Sequence, residues 1–293
     1  MSHRSLRRLI ATTTVVLTAG LALAACGASE PSQTTSAQPG APQVKLVQSG
    51  KLKTCTSLPY APFQFDQGGK TVGFDVDMID LVAKKLNVPQ EIVDVKFDVI
   101  KSGASLNAGN CDIAAAAMTI TDERKQNLDF SVPYFDEVIG LMVGKGSGVK
   151  SLDDVKSKGL KLGVQTGTTS LDYANEKGFT PTQYDDAGKQ LLAMQSGQVD
   201  VLLQDLPVVN DWLKKSDVSS KFELASAIKT GAQYGYAVKK GGNPELLKLV
   251  NDTLDEAFKN GTWSDLYTKW IGSKPETTPA SESTPMSTAP TTS

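Results

Sequence analysis

Between about residues 44 and 272, short apolar runs alternate with stretches whose apolar residues recur at helical spacing, and the alternation starts over near residue 138. This pattern narrows the fold further than any composition value does. A strand, a helix and a second strand running the same way build a parallel sheet with helices on its faces. Residues 52–56 read as a strand. Met78, Ile79, Val82 and Leu86 fall on one face of a helix that Asp75 is placed to cap, and 91–95 and 112–117 read as further strands. After the restart, 138–143, 160–164, 199–203 and 234–238 read as strands, and helices over 243–259 and 262–270 close the body. The expectation is an α/β chain of two lobes, each a doubly wound sheet. Lobe 1 takes 44–140 and 239–272, lobe 2 takes 141–238, and two strands cross between them near 138–144 and 235–240. Ligands of open α/β folds bind beyond the carboxyl ends of the strands, so the cleft between the lobes is the place to look for a site.

The flanks are of another kind. Arg4, Arg7 and Arg8 precede an uncharged run over 11–25 that is short for a permanent membrane helix, and the run ends in Leu23-Ala24-Ala25-Cys26-Gly27. Small residues before a cysteine match the bacterial lipobox, so 1–25 is expected to be a lipoprotein signal peptide and Cys26 the lipidated residue. Residues 26–43, rich in Ser, Thr, Gln, Pro and Gly, read as a flexible tether, and 273–293 as a disordered Ser/Thr/Pro-rich tail. The chain is expected outside the cytoplasm, held to the cell membrane by its lipid.

The sequence also excludes chemistry. Its one histidine, His3, lies in the leader, so no Ser-His-Asp or Cys-His pair and no imidazole metal site is available to the mature body. No metal and no cofactor is expected. With 30 basic and 32 acidic residues there is no electrostatic case for a nucleic-acid partner. Cys55 and Cys111 remain once Cys26 is lipidated. An even pair in an oxidising compartment suggests a disulfide. A parallel register between their strands argues against it, since it sets Cys55 near one strand's end and Cys111 at the other's start. Both readings stand at this point.

Four segments carry candidate site residues. In Ala117-Met118-Thr119-Ile120-Thr121-Asp122-Glu123-Arg124, Thr121 is a helix N-cap, which puts Arg124 in a first turn where it opposes the helix dipole. An anion between the guanidinium and exposed amides explains that placement; pairing of a surface arginine with Asp122 or Asp129 explains it equally well. Gln165-Thr166-Gly167-Thr168-Thr169-Ser170 follows a strand and opens a helix, and lacks the lysine of a nucleotide loop. Asp205 lies at the carboxyl end of the apolar run 199–203, either facing an ammonium group or capping the next helix. Tyr60, in the proline-bracketed Pro59-Tyr60-Ala61-Pro62, and Phe97 are aromatic platforms or core residues.

Together these segments resemble the family 3 extracellular solute-binding proteins, the polar amino acid receptors of ABC importers. The resemblance lies in Pro59-Tyr60-Ala61-Pro62-Phe63-Gln64-Phe65, Val72-Gly73-Phe74-Asp75-Val76-Asp77, the 118–125 segment, Asp129-Phe130-Ser131-Val132-Pro133-Tyr134-Phe135, Gly163-Val164-Gln165-Thr166-Gly167-Thr168, and Asn260-Gly261-Thr262-Trp263 with Tyr267-Thr268-Lys269-Trp270. It implies a two-lobed periplasmic-binding-protein-like fold and a monomer that delivers an amino acid to permease subunits. It further implies that Arg124 binds the α-carboxylate with Thr119 and the Thr168–Thr169 turn. Asp205, Thr119 and the Ala117 carbonyl would bind the α-ammonium, and Tyr60 and Phe97 would sandwich the side chain. The Phe97 assignment needs about two extra residues in 100–106. Ser57 and Gln165 stand where many relatives carry a charge, which argues for a neutral polar ligand. A few relatives are cyclohexadienyl dehydratases, and a ligand-sensing receptor partner is a further alternative for this chain. Dehydration needs a positioned acid; no cleft position assigned here holds a spare carboxylate, so a binding protein and not an enzyme is expected.

Overall fold

The computed structural model describes residues 44–272 and Pro279; the leader, Cys26, the tether and the rest of the tail lie outside the described residues. The strands in chain order are β1 (Leu52–Thr56), β2 (Phe65–Gln67), β3 (Lys70–Val72), β4 (Gln90–Asp94), β5 (Ile113–Ala114), β6 (Leu128–Phe130), β7 (Phe135–Gly144), β8 (Leu162–Gln165), β9 (Thr182–Tyr184), β10 (Val201–Asp205), β11 (Phe222–Tyr234) and β12 (Ala237–Lys239). They form a sheet ordered β4-β1-β5-β12-β6, a second ordered β11-β7-β10-β8-β9, and a hairpin of β2 and β3. Two lobes of mixed α/β structure are therefore present.

The sheets are mixed, not wholly parallel. β1 runs parallel to β4 and β5, but β12 runs antiparallel to β5 and β6. In the second sheet β10 and β9 lie parallel to β8, whereas β7 is antiparallel to both β10 and β11. The chain that leaves one lobe for the other and returns must enter the new sheet against its direction. Sheet membership changes between Phe130 and Phe135, earlier than the crossing expected at 138–144, and again between Tyr234 and Ala237, at the start of the expected 235–240. The run 234–238 is accordingly split between two sheets. β11 escaped the sequence pattern because its face is half exposed and polar over Ser226–Gln233.

Local chemistry explains how the first lobe's loop meets its helix. The helix Phe74–Lys85 begins after Gly73, not at Asp75. Gly73 has φ 135°, and a Cβ there would lie 2.1 Å from the Phe63 carbonyl oxygen, so only glycine lets the 57–65 loop press on the helix start. Asp75, freed from capping, is fully buried. It accepts a hydrogen bond from the Ala117 amide at 2.8 Å and one from the Tyr236 hydroxyl at 3.3 Å. The expected strand 112–117 pairs only over Ile113–Ala114, because Ala117 turns into the left-handed region at φ 45°.

Aromatic side chains fill the junction of the lobes. Tyr134 stacks on Tyr236 with centroids 4.0 Å apart, and Phe135 stacks on Tyr234 at 5.5 Å. Trp263 of the helix Thr262–Ile271 donates its indole N–H to the Tyr134 carbonyl at 3.0 Å. The Asn260-Gly261-Thr262-Trp263 segment thus anchors the crossing chain. Cys55 and Cys111 are joined by a disulfide with Cα atoms 5.6 Å apart. The register argument against it fails because β5 starts only at Ile113, leaving Cys111 outside the ladder and free to approach β1. In the chain-entropy view, closing a loop across a separation of 56 residues stabilises by about 4 kcal/mol.

Candidate functional site

The carboxyl ends of β1, β5, β8 and β10 face one cleft, lined by Ser57, Tyr60, Gln64, Phe97, Ala116 and Ala117 and, completing it, by Thr119, Arg124, Gln165, Thr168, Thr169 and Asp205. All ten residues expected at a ligand site from the sequence stand on this lining.

Arg124 is buried, at 4 % exposure. Thr121 caps its short helix, accepting from the Arg124 amide at 3.2 Å. The guanidinium lies 5.4 Å from the Phe97 ring centroid, and donates to the Thr119 carbonyl at 2.7 Å and to the Gly167 carbonyl of the other lobe at 3.1 Å. The competing surface pairs are not formed: Asp122 holds Lys125, and Asp129 holds Lys240. Burial lowers the arginine's pKa from its ordinary value, and the negative charges of Glu137, Asp172 and Asp205 work against that loss.

Asp205 occupies the N-cap position of the helix Leu206–Leu213 but caps nothing with its side chain. Its Oδ2 lies 2.6 Å from the Tyr60 hydroxyl, which is also 2.6 Å from Gln204 Oε1. Gln204 is fixed as an acceptor there, because its amide nitrogen donates to Gln190 at 2.9 Å while Gln190 donates to the Gly163 and Leu203 carbonyls. A phenol has one proton. With that proton given to Gln204, the contact with Asp205 is attractive only when the carboxyl is itself protonated. Burial, aided by the charge of Glu137, pushes the Asp205 pKa up to about 7, against the opposing pull of the Tyr60 hydroxyl and Arg124.

The remaining side chains divide by function. Thr168 spends its hydroxyl on local structure, donating to the Gln165 carbonyl at 2.8 Å and accepting from the Leu171 amide at 3.2 Å. It offers the cleft its backbone. Gln165 Oε1 receives the Gln204 amide at 3.4 Å. Ala117 is held by Asp75 as described, which aims its peptide. Thr119 and Thr169 both donate to Glu137 Oε1 at 2.5 Å.

Glu137 is a buried carboxylate that sequence reasoning missed, although no position assigned to the cleft holds it. It is 3 % exposed on β7, behind the two threonines and off the cleft lining. The strand's alternation carried the signal: Phe135, Glu137 and Ile139 point inward while Asp136 points out, so an acid on the inward side of a strand required a partner. Gln64 was also missed as a site residue, although it stands in a quoted motif. Its Oε1 is buried without a hydrogen-bond partner beside the cleft, an acceptor in reserve.

A cleft between two α/β lobes, with a guanidinium and a carboxyl group buried on facing walls, defines a receptor for a small polar solute. The chain belongs to the bacterial extracellular solute-binding proteins, family 3, whose model matches residues 52–273. It is 34% identical over 233 residues to the L-cystine-binding protein TcyJ of Escherichia coli K12, covering 78% of this chain and 85% of TcyJ. Among solved structures, an ancestral arginine-binding protein bound to glutamine superposes with a TM-score of 0.71 at 37% identity, covering 77% of this chain and 100% of the other. The ancestral amino acid-binding protein AncCDT-1, a precursor of cyclohexadienyl dehydratase, does so at 0.69 and 34%, covering 76% and 96%.

Proposed function

We propose that this protein captures a polar amino acid outside the membrane and presents it to the permease subunits of an ABC importer. The carrying observation is that Arg124 and Asp205, from different lobes and both at least nine-tenths buried, line one cleft with hydroxyls and a strained backbone carbonyl between them. Arg124 and the amides of the Thr168–Thr169 turn bind the α-carboxylate. Asp205, Thr119 and the Ala117 carbonyl bind the α-ammonium, and Tyr60 and Phe97 hold the side chain between their rings. Ser57, Gln64 and Gln165 give the remaining wall uncharged polar groups, which favours a neutral polar side chain. Cys26 supplies the lipid that keeps a monomeric receptor beside its permease.

A thermal-shift screen of the twenty amino acids, followed by calorimetry, tests this reading, because a ligand bound only by the folded state raises its apparent stability. Arg124→Ala is expected to weaken the binder so identified by about 30-fold or more, as when one partner of a buried charge pair is removed. Arg124→Lys restores part of that loss, lacking the bidentate fork. Affinities within a few-fold of wild type in both variants would sink the assignment. Glu137 supports a second reading, a dehydratase acting on arogenate or prephenate, on a fold shared with AncCDT-1, an amino acid-binding precursor of such an enzyme. Glu137 reaches the cleft only through threonine hydroxyls, which favours binding over proton transfer; product formation on incubation with either compound would reverse that preference.

A further inference from the structure

We propose that Glu137 is a positioning residue of the ligand site, which makes acceptors of the Thr119 and Thr169 hydroxyls and so selects ligands bearing an ammonium group over those bearing a hydroxyl in its place. The proposal rests on the amino acid reading above. Each threonine hydroxyl has one proton and two lone pairs. Both protons are directed at Glu137 Oε1, 2.5 Å away in each case, and the two oxygens stand 3.4 Å apart. With the protons committed, the oxygens face the cleft as acceptors only. They join Asp205, once it is ionised, and the Ala117 carbonyl in a surround where acceptors outnumber donors. An ammonium group brings three donors to it. A hydroxyl brings one, and leaves buried acceptors unfilled, the kind of mismatch by which a hydrogen-bonding site rejects a near-isostere.

The geometry separates this role from direct ligand contact. Glu137 belongs to β7 of the second sheet and reaches Thr119 in the first lobe and Thr169 in the second from the side away from the cleft. It lines instead the neighbouring cavity that Phe135, Lys229 and Tyr267 also border. Its charge bears on both anchors, raising the pKa of Asp205 and supporting the ionised form of Arg124.

The test uses two probes, a pool of the twenty amino acids and a pool of the matching 2-hydroxy acids, first by thermal shift and then by calorimetry with the best amino acid and its 2-hydroxy analogue. Wild type is expected to favour the amino acid strongly. Glu137→Gln, whose amide donates to one threonine oxygen and frees that proton for the cleft, is expected to reduce the amino-to-hydroxy affinity ratio at least tenfold. Thr169→Val, which keeps the shape and removes one acceptor, is expected to lower amino acid affinity while leaving the hydroxy analogue within a few-fold, and it serves where Glu137→Gln does not fold. Parallel loss of both ligands, with the ratio unchanged, overturns the proposal in favour of a purely structural acid. Tighter amino acid binding by Glu137→Gln overturns it in favour of an acid that competes with the ligand's carboxylate. No shift of wild type by either pool defeats the amino acid reading itself, and this proposal with it.

Discussion

At the scale of single residues, the site is governed by where protons can go. Asp205 meets Tyr60, Gln204, Glu137 and Arg124, and the buried hydroxyl of Tyr234 stands nearby without a hydrogen-bond partner. The carboxyl prefers its neutral form in that company until a cation arrives. An ammonium group needs the ionised form, so binding must expel a proton wherever the free site still holds one. With the Asp205 pKa raised to about 7, affinity is expected to be level above that pH and to fall below it, approaching tenfold per pH unit. Calorimetry in buffers of different ionisation enthalpy at pH 6 checks this, since close to one proton should be released per ligand bound. In Asp205→Asn the release should vanish and the affinity become nearly independent of pH between 6 and 8. Proton release unchanged by that substitution would assign the titration to another group.

At the scale of elements, the helix Phe74–Lys85 does two things with one side chain. Its first turn carries Asp75 inward to fix Ala117 in a left-handed conformation, and the same burial pushes that carboxyl up to about 7. The unfolded chain's aspartates titrate near 3.9, so between those values the folded state binds the extra proton. Stability from this group is complete below about pH 4 and is lost as pH rises to 7, on the order of 4 kcal/mol over the interval. Asp75→Asn can still accept from the Ala117 amide and pair with Tyr236 without ionising. The stability of the variant relative to wild type is therefore expected to climb from pH 5 to pH 8, measured by urea denaturation; a constant difference would show that Asp75 titrates normally. None of this was legible in the sequence, where Asp75 reads as a cap because the next apolar residues follow it at helical spacing. Spacing does show which side chains share a face. It does not show that Gly73 lets the Phe63 carbonyl approach, which moves the helix start by two residues and turns Asp75 inward. The same limit explains β11, whose polar exposed face hides a 13-residue strand. The residues lining the cleft were legible, because most lie at a strand end or in a turn opening a helix, and such positions converge once the sheet order is right.

At the scale of the whole molecule, a receptor of the proposed kind must be held at a membrane and still be able to move. Cys26→Ala is expected to shift the protein from the detergent phase to the aqueous phase of a Triton X-114 partition, and an unchanged partition would mean another anchor. Movement follows from how the cleft is held shut. Tyr60 bonds Gln204 and Asp205, Arg124 bonds the Gly167 carbonyl, and Thr119 meets Glu137, each contact joining one lobe to the other. The cavity among them is about 10 Å³, roughly the room one water requires. No amino acid can enter until those bonds part, so the lobes must separate first. Among the described residues the chain connections between them are the two crossings, at 131–134 and 235–236, and the stacked pairs Tyr134 with Tyr236 and Phe135 with Tyr234 pack there as a compact pivot. Bending at so few backbone positions is how two-lobed receptors open and close. The energetic expectation is that a ligand exchanges the interlobe contacts for its own and stabilises the closed arrangement by its differential affinity for it. Small-angle scattering on the mature chain is therefore expected to show a smaller radius of gyration with a saturating binder than without one. Loosening the pivot by Tyr236→Ala should enlarge the unliganded value and weaken binding, while Arg124→Ala should leave scattering unresponsive to the amino acid. A radius unchanged on addition of an amino acid that calorimetry shows to bind would mean that entry needs only side-chain rotation, with the lobes fixed.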